Sequence, residues 1–208
     1  MDEYTLEYMN KEIAREILLG KPDNEVLETM LDAYASDGAA RADVAHAVAD
    51  CSDALWAKQA QLAKPVDVER LAAAFDRLKQ AGLFVGWDLA RHRSDAHRKI
   101  EGHFASSTAS ERGYVFFIEQ DLEGPATRAG GVLRLSYGAN PQMDIDAEDI
   151  AREVVKVLDH HALDASWAGT SEHYIEVSMF WCVPRGPDDR MSRDALLRLA
   201  VADETSSS

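Results

Sequence analysis

The chain has 208 residues, of which 46% are hydrophobic and 28% are charged, and this composition excludes a disordered or fibrous protein. Its 37 acidic and 22 basic residues give a formal net charge of −15. Duplex nucleic acid is therefore not expected as a partner, because phosphate contacts require clustered lysine and arginine. The acidity predicts a well-solvated surface or, as the alternative, an acidic face for a basic partner.

The sequence shows no feature of a membrane or exported protein. No segment provides the ~18 uncharged apolar residues of a membrane-spanning helix. The start, Met1-Asp2-Glu3-Tyr4, lacks the basic-then-apolar order of a signal peptide. We therefore expect a cytoplasmic protein with no membrane partner. Cys51 and Cys182 are far apart, which predicts two buried thiols, with a disulfide between them as the alternative.

Residues 1–64 predict a helical N-terminal region with three helices. Apolar residues recur at steps of three and four, the spacing of one side of a helix. Gly20 ends the first helix, Asp23 caps the second, and Asp37-Gly38 ends it. Because helices this short are marginal alone, we expect them to pack on other elements. The apolar positions are Leu6, Met9, Ile13 and Ile17, then Val26, Met30 and Tyr34, and finally Val44, Val48, Cys51, Leu55 and Leu62.

Lys64-Pro65 marks the predicted start of a second domain, residues 65–183. A helix capped by Asp67 opens it, and from residue 83 the predicted order is strand, helix, strand, strand, helix, strand, with an added hairpin strand. This is the order of a ferredoxin-like split βαβ unit. The predicted strands are Leu83–Trp87, Gly113–Ile118, Val132–Tyr137, Leu163–Trp167 and Tyr174–Trp181, and the helices within this unit cover 95–109 and the segment after Asp146.

The whole pattern predicts an α+β fold, in which the N-terminal helical region packs on a ferredoxin-like (βαββαβ) sandwich with an added hairpin strand. Residues 184–208 are expected to add a short helix capped by Ser192, followed by a frayed tail over Thr205–Ser208.

Several short motifs carry a resemblance to a known family. They are Phe75-x-x-Leu78-x-x-x-Gly82, Gly113-Tyr114-Val115-Phe116-Phe117, Gln120-Asp121-Leu122-Glu123, Gly130-Gly131-Val132-Leu133, Leu135-x-Tyr137-Gly138, Glu153-Val154-Val155 and Trp167-x-Gly169. With these motifs the chain resembles the bacterial proteins grouped as domain-of-unknown-function family 6891. The resemblance implies a shared fold and a bacterial, cytosolic setting, and it implies no catalytic residues. It also implies closely spaced cysteines after the first strand, where this chain has none, so a thiol metal site or redox role is not expected.

The segment 91–103 concentrates positive charge in an acidic chain. Four of its cations are expected either to pair with the chain's own carboxylates or to form a patch for an anionic ligand or an acidic partner. The histidines of the segment are five and six residues apart, unlike the four-residue spacing of a helical metal site, so no metal is expected. The cations are Arg91, Arg93, Arg98 and Lys99, and the histidines are His92, His97 and His103.

Three carboxylates are weak catalytic candidates. Glu119 and Asp121 follow the strongest strand, and Asp88 follows the strand before it. If the two strands are neighbours, these side chains converge and could act as acid and base or bind a divalent cation. The alternative is that they are ordinary solvated groups at strand ends. A second histidine set, His160, His161 and His173, is expected to be structural.

No nucleophile elbow, phosphate loop or dinucleotide fingerprint occurs, and no cofactor is expected. The sequence therefore favours an uncharacterised cytosolic protein that acts as a protein-binding or regulatory module without catalysis. Its partner would be another protein or a second copy of the chain, bound at an open sheet edge. The alternative is an enzyme or sensor that binds a small ligand or a divalent cation through the carboxylates at the strand ends.

Overall fold

A computed structural model describes residues 3–35, 39–63, 65–106 and 110–202. Within these ranges the chain forms seven α-helices and one five-stranded mixed sheet, which confirms the predicted α+β class. The helices are α1 Glu3–Leu18, α2 Asp23–Tyr34, α3 Arg41–Gln59, α4 Asp67–Gln80, α5 Arg93–Phe104, α6 Ala147–His160 and α7 Arg193–Ala202. The strands are β1 Leu83–Gly86, β2 Gly113–Phe116, β3 Gly131–Ala139, β4 Asp164–Ser166 and β5 Ile175–Met179. The predictions for Asp37-Gly38, Lys64 and Thr205–Ser208 fall outside the described residues.

The chain divides into two compact units. One contains Met1–Lys64, Ala126–Arg128 and Cys182–Ser208, and the other contains Pro65–Pro125 and Ala129–Trp181. We call them the helical unit and the sheet unit.

The helical unit contains α1, α2, α3 and α7, and its core consists of the predicted apolar stripes. Ile13, Val26 and Val48 are fully buried, whereas Leu6, also predicted on a stripe, is 41% exposed. Gly20 ends α1 with φ +93°, a left-handed conformation that favours glycine. Cys51 and Cys182 are buried free thiols, as predicted.

The prediction that Asp23 caps α2 is wrong. Pro22 occupies the cap position, and Asp23 is the first residue of the helix with a fully buried carboxylate. That carboxylate accepts hydrogen bonds from the Arg185 guanidinium at 2.6 Å and from the Ser52 hydroxyl at 3.0 Å. It also accepts one from the Met191 backbone N–H at 2.8 Å. Asp23 therefore joins distant parts of the helical unit, which local helix rules do not anticipate.

The sheet unit has the strand order β1-β2-β3-β5-β4. β1 and β2 are parallel, and all other neighbours are antiparallel. The order does not confirm the ferredoxin-like arrangement, because β1 pairs directly with β2, whereas a split βαβ unit places another strand between its parallel strands. The sequence predicted the succession of elements, and the pairing depends on contacts between distant segments.

Helices cover the two faces of this sheet differently. Ile150 of α6 lies against Gly113 on one face. On the other face α5 buries Ala96, Ile100 and Phe104 against Phe116 and Ile118. On this face of the sheet α5 covers β1 and β2. Val132, Arg134 and Glu176 on β3 and β5 stay exposed.

Candidate functional site

The segment that follows β1 is held in place by main-chain hydrogen bonds to the segment that follows β2. The Phe117 N–H donates to the Gly86 carbonyl, the Leu89 N–H to the Phe117 carbonyl at 3.0 Å, and the Glu119 N–H to the Ala90 carbonyl at 3.2 Å. The pairing is interrupted at Asp88, which has φ +41°, a conformation that non-glycine residues rarely adopt. The β1–β2 pairing thereby extends irregularly to Ala90, and it fixes the chain just before α5.

An open cleft of about 560 Å³ lies between this segment and α5. Asp95, Arg98 and Lys99 of the lining share one side of α5, and Arg91 precedes the helix. Three of them are cationic and one is a carboxylate, so the cleft carries positive charge in a chain whose net charge is −15. The lining consists of Ala90, Arg91, Asp95, Arg98 and Lys99.

The three cations of the cleft differ in what they contact. Lys99 Nζ donates to the Leu89 carbonyl oxygen at 2.7 Å, which holds the wall of the cleft without neutralising the ammonium. Arg98 Nη1 pairs with Asp95 Oδ1 at 3.1 Å, and this pair is exposed. Arg91 is exposed and has no hydrogen bond or ion pair with any residue that the structure describes. Within the cleft, Arg98 is thus paired with a carboxylate of its own chain and Arg91 is open to a ligand.

The structure places Arg93, the fourth predicted cation, in a different cluster. Its Nη2 donates to Asp121 Oδ1 at 2.6 Å, its Nη1 donates to the Ser136 hydroxyl, and its guanidinium lies 4.4 Å from the centre of the Tyr174 ring. Asp121 also accepts a hydrogen bond from the Ile118 N–H at 3.0 Å. Arg93 therefore connects α5 to the turn after β2 and to β3.

The three candidate carboxylates have different environments. Asp121 is buried, and both of its oxygens accept hydrogen bonds, from Arg93 and from Ile118. Asp88 is exposed and Glu119 is half-buried. Among the described residues, no group of three or more His, Cys, Asp and Glu side chains could hold a metal ion. The arrangement that would let Asp88, Glu119 and Asp121 share a cation is therefore not found in this part of the chain.

The histidines of segment 91–103 contact other side chains of the sheet unit. His97 packs edge-on against Phe116, with ring centroids 5.4 Å apart. His103 Nε2 lies 3.1 Å from Glu111 Oε2, and its ring lies 4.6 Å from the Phe84 ring. His92 Nδ1 lies 3.4 Å from the Gln120 amide.

The second histidine set has separate contacts. The rings of His160 and His161 lie 5.6 Å apart, and His173 Nδ1 lies 2.8 Å from the Thr170 hydroxyl. His161 lies one residue beyond the end of α6.

Burial raises the pKa of the Asp121 carboxyl, and the Ile118 N–H and the Arg93 guanidinium oppose this effect only in part. Replacing Arg93 with alanine should therefore raise the pKa of Asp121 further. A carboxyl whose pKa is higher in the folded than in the unfolded protein stabilises the fold at acid pH, and this contribution is lost as the pH rises through the folded-state pKa.

The loss of unfolding free energy caused by Arg93→Ala should accordingly be larger at pH 7 than at pH 4. Urea unfolding at the two pH values measures it, and a ¹³C-detected NMR titration of Asp121 measures the pKa directly. An equal loss at both pH values would show that the guanidinium acts by packing alone.

The sequence did not indicate Ser136 or Tyr174 as partners of Arg93. Both lie on the β3–β5 side of the sheet, far from Arg93 along the chain. The sequence places Arg93 in a basic segment, but only the fold shows from which side of α5 its side chain extends.

Comparison with known proteins gives a family and no activity. The model of a family described as a domain of unknown function (DUF6891) matches residues 2–185. No curated protein and no solved structure matches the chain. None of the described helices is long and apolar enough to cross a membrane.

Proposed function

The chain belongs to the DUF6891 family, for which no activity is known, and we propose that it is a cytosolic protein-binding module without catalysis. Its cationic cleft binds an acidic segment of a partner protein. The observation that carries the proposal is Arg91, an exposed guanidinium without a partner among the described residues, in a cleft that it shares with Arg98 and Lys99.

The chemistry of the cleft favours carboxylates as the bound groups. A guanidinium presents a planar fork of donors that matches a carboxylate, and a lysine adds a compact positive charge. Acidic residues farther away than about 8 Å repel such a ligand weakly, because physiological salt screens charges over that distance. Asp95, which lines the cleft, is paired with Arg98. The cleft is open to solvent and has a volume of about 560 Å³. These features favour recognition of a protein segment.

The environment of Asp121 argues against the alternative, a carboxylate site for catalysis or cation binding. Both carboxylate oxygens are engaged by donors of the same chain, including the guanidinium of Arg93. A general base must instead reach the proton that it removes. The alternative becomes an outcome of the test below.

The test is the binding of fluorescein-labelled hexaglutamate to the full chain, followed by fluorescence anisotropy at about 0.15 M salt, an ionic strength that leaves only short-range attraction. Arg91→Glu should weaken binding by about tenfold or more, because it replaces a charge-assisted hydrogen bond by repulsion. The matched control is Arg152→Glu, which makes the same change in net charge, since Arg152 is an exposed arginine that pairs with Asp149 on α6. This control should bind as the native chain does.

Equal binding by the native chain and Arg91→Glu would overturn the proposal. So would a divalent cation retained in native mass spectrometry and lost in Asp121→Ala, since that result would support the carboxylate site.

A further inference from the structure

β1 is the first strand in the order β1-β2-β3-β5-β4, so one of its edges, the free edge, has no neighbouring strand among the residues that the structure describes. The residues that line the cleft follow β1 along the chain. We infer that the acidic segment binds as an added strand, antiparallel to β1, with its carboxylates in the cleft. This inference rests on the proposed function and adds to it the conformation of the partner.

The register of β1 and β2 shows which peptide groups face the free edge. Phe84 pairs with Tyr114 and Gly86 with Phe116, and the Gly86 carbonyl accepts from the Phe117 N–H. Along an edge strand, residues whose peptide groups bond to the neighbouring strand alternate with residues whose peptide groups point away from it. Since Gly86 bonds to the β2 side, the N–H and C=O groups of Leu83 and Val85 point away from β2. Those groups are the template that strand addition uses.

One lining residue of the cleft, Lys99, connects it to the end of β1. Lys99 bonds to Leu89 just after β1, and His103, one turn further along α5, contacts Phe84 of β1. Arg93 instead reaches Ser136 of β3. Arg91 is six residues beyond Val85, at most about 20 Å along an extended chain. A segment of six to eight residues is therefore long enough to pair with β1 and to reach Arg91.

The two edges of the sheet differ in a way that selects β1. The other edge strand, β4, reads Asp164-Ala165-Ser166, and its exposed carboxylate would repel an acidic segment. β1 reads Leu83-Phe84-Val85-Gly86 and contains no charge or proline that would block pairing. Phe84 and Val85 are also partly exposed.

The direction of the added strand follows from the position of the cleft. The cleft comes after the carboxyl end of β1, so an antiparallel segment brings its amino-terminal residues to it. Antiparallel pairing is slightly more stable per residue than parallel pairing. The expected ligand therefore has acidic residues first and alternating β-formers after them.

The probe is the peptide acetyl-Glu-Glu-Val-Thr-Val-Thr-amide, compared with its reversed sequence and with two backbone N-methylated forms. One form is methylated on the valines and the other on the threonines. Only one of these sets of N–H groups can point at β1, so one form should lose binding by about tenfold and the other should bind as the parent does. The reversed sequence should bind more weakly than the parent. In hydrogen exchange followed by NMR, the parent should slow the Val85 amide.

The outcomes separate the two proposals. If Arg91→Glu weakens the parent probe but both methylated forms bind like the parent, the cleft is correct and strand addition is wrong. If Arg91→Glu has no effect, the proposed function itself fails. An unchanged exchange rate at Val85 in the saturated complex would also overturn strand addition.

Discussion

Replacing Asp23 with asparagine should lower the free energy of unfolding by about 3–5 kcal/mol, because it leaves a buried charge without its partner. Asp23 is fully buried, and the Arg185 side chain that it pairs with is only 4% exposed. Their 2.6 Å contact is supplemented by Ser52 and by the Met191 N–H. Urea unfolding followed by the far-ultraviolet circular dichroism signal measures the loss.

A matched control exists in the same helical unit. Asp53 pairs with Arg190 at an exposed position, so Asp53→Asn should cost at most about 1 kcal/mol. Asp23→Asn combined with Arg185→Met should cost clearly less than the sum of the two single changes, because the double variant removes both charges. Additive losses would show that Asp23 and Arg185 do not stabilise the fold as a pair.

Phe117→Ala is expected to destabilise the sheet unit by about 3–5 kcal/mol through the cavity that it leaves. Phe117 is 1% exposed, and its ring centroid lies 5.5 Å from those of both Trp87 and Trp181, in edge-to-face contact. Phe75 completes the cluster at 6.3 Å. The loss is measured by urea unfolding with tryptophan fluorescence, whose emission in the folded variant should shift to longer wavelength.

Two further variants define the origin of this effect. Phe117→Leu fills most of the volume and should cost much less than alanine. Tyr4→Ala removes an aromatic side chain that is 79% exposed, and the change in unfolding free energy should stay within about 0.5 kcal/mol. A small loss for Phe117→Ala would mean that the neighbouring rings close the cavity.

Local patterns predicted the elements of this fold well. Ile13 and Ile17, like Ile150 and Val154, are four residues apart, a spacing that predicts one buried side of a helix. All four residues are buried in the structure. Gly20 ends its helix, as its position predicted, and does so with positive φ. Such signals depend on neighbours within one or two turns, and the sequence contains them directly.

Strand order and the partners of charged residues could not be predicted in this way. The direct β1–β2 pairing and the burial of Asp23 against Arg185 join segments that are far apart in sequence. Arg93 and Arg98 belong to one basic segment, but α5 directs Arg93 towards β3 and Arg98 to the cleft. Ala96, Ile100 and Phe104 determine which side of α5 packs against the sheet. The directions in which the cations of α5 extend follow from their positions relative to these three residues.

Binding of an acidic segment in the cleft is tested by an NMR titration of the ¹⁵N-labelled full chain with unlabelled hexaglutamate. Amide shift changes should concentrate at residues 89–91 and 95–99, around the cleft, and Arg91→Glu should raise the peptide concentration that produces them by about tenfold or more. Saturable shifts centred elsewhere, or no shifts at millimolar peptide, would contradict the claim that this cleft binds an acidic segment.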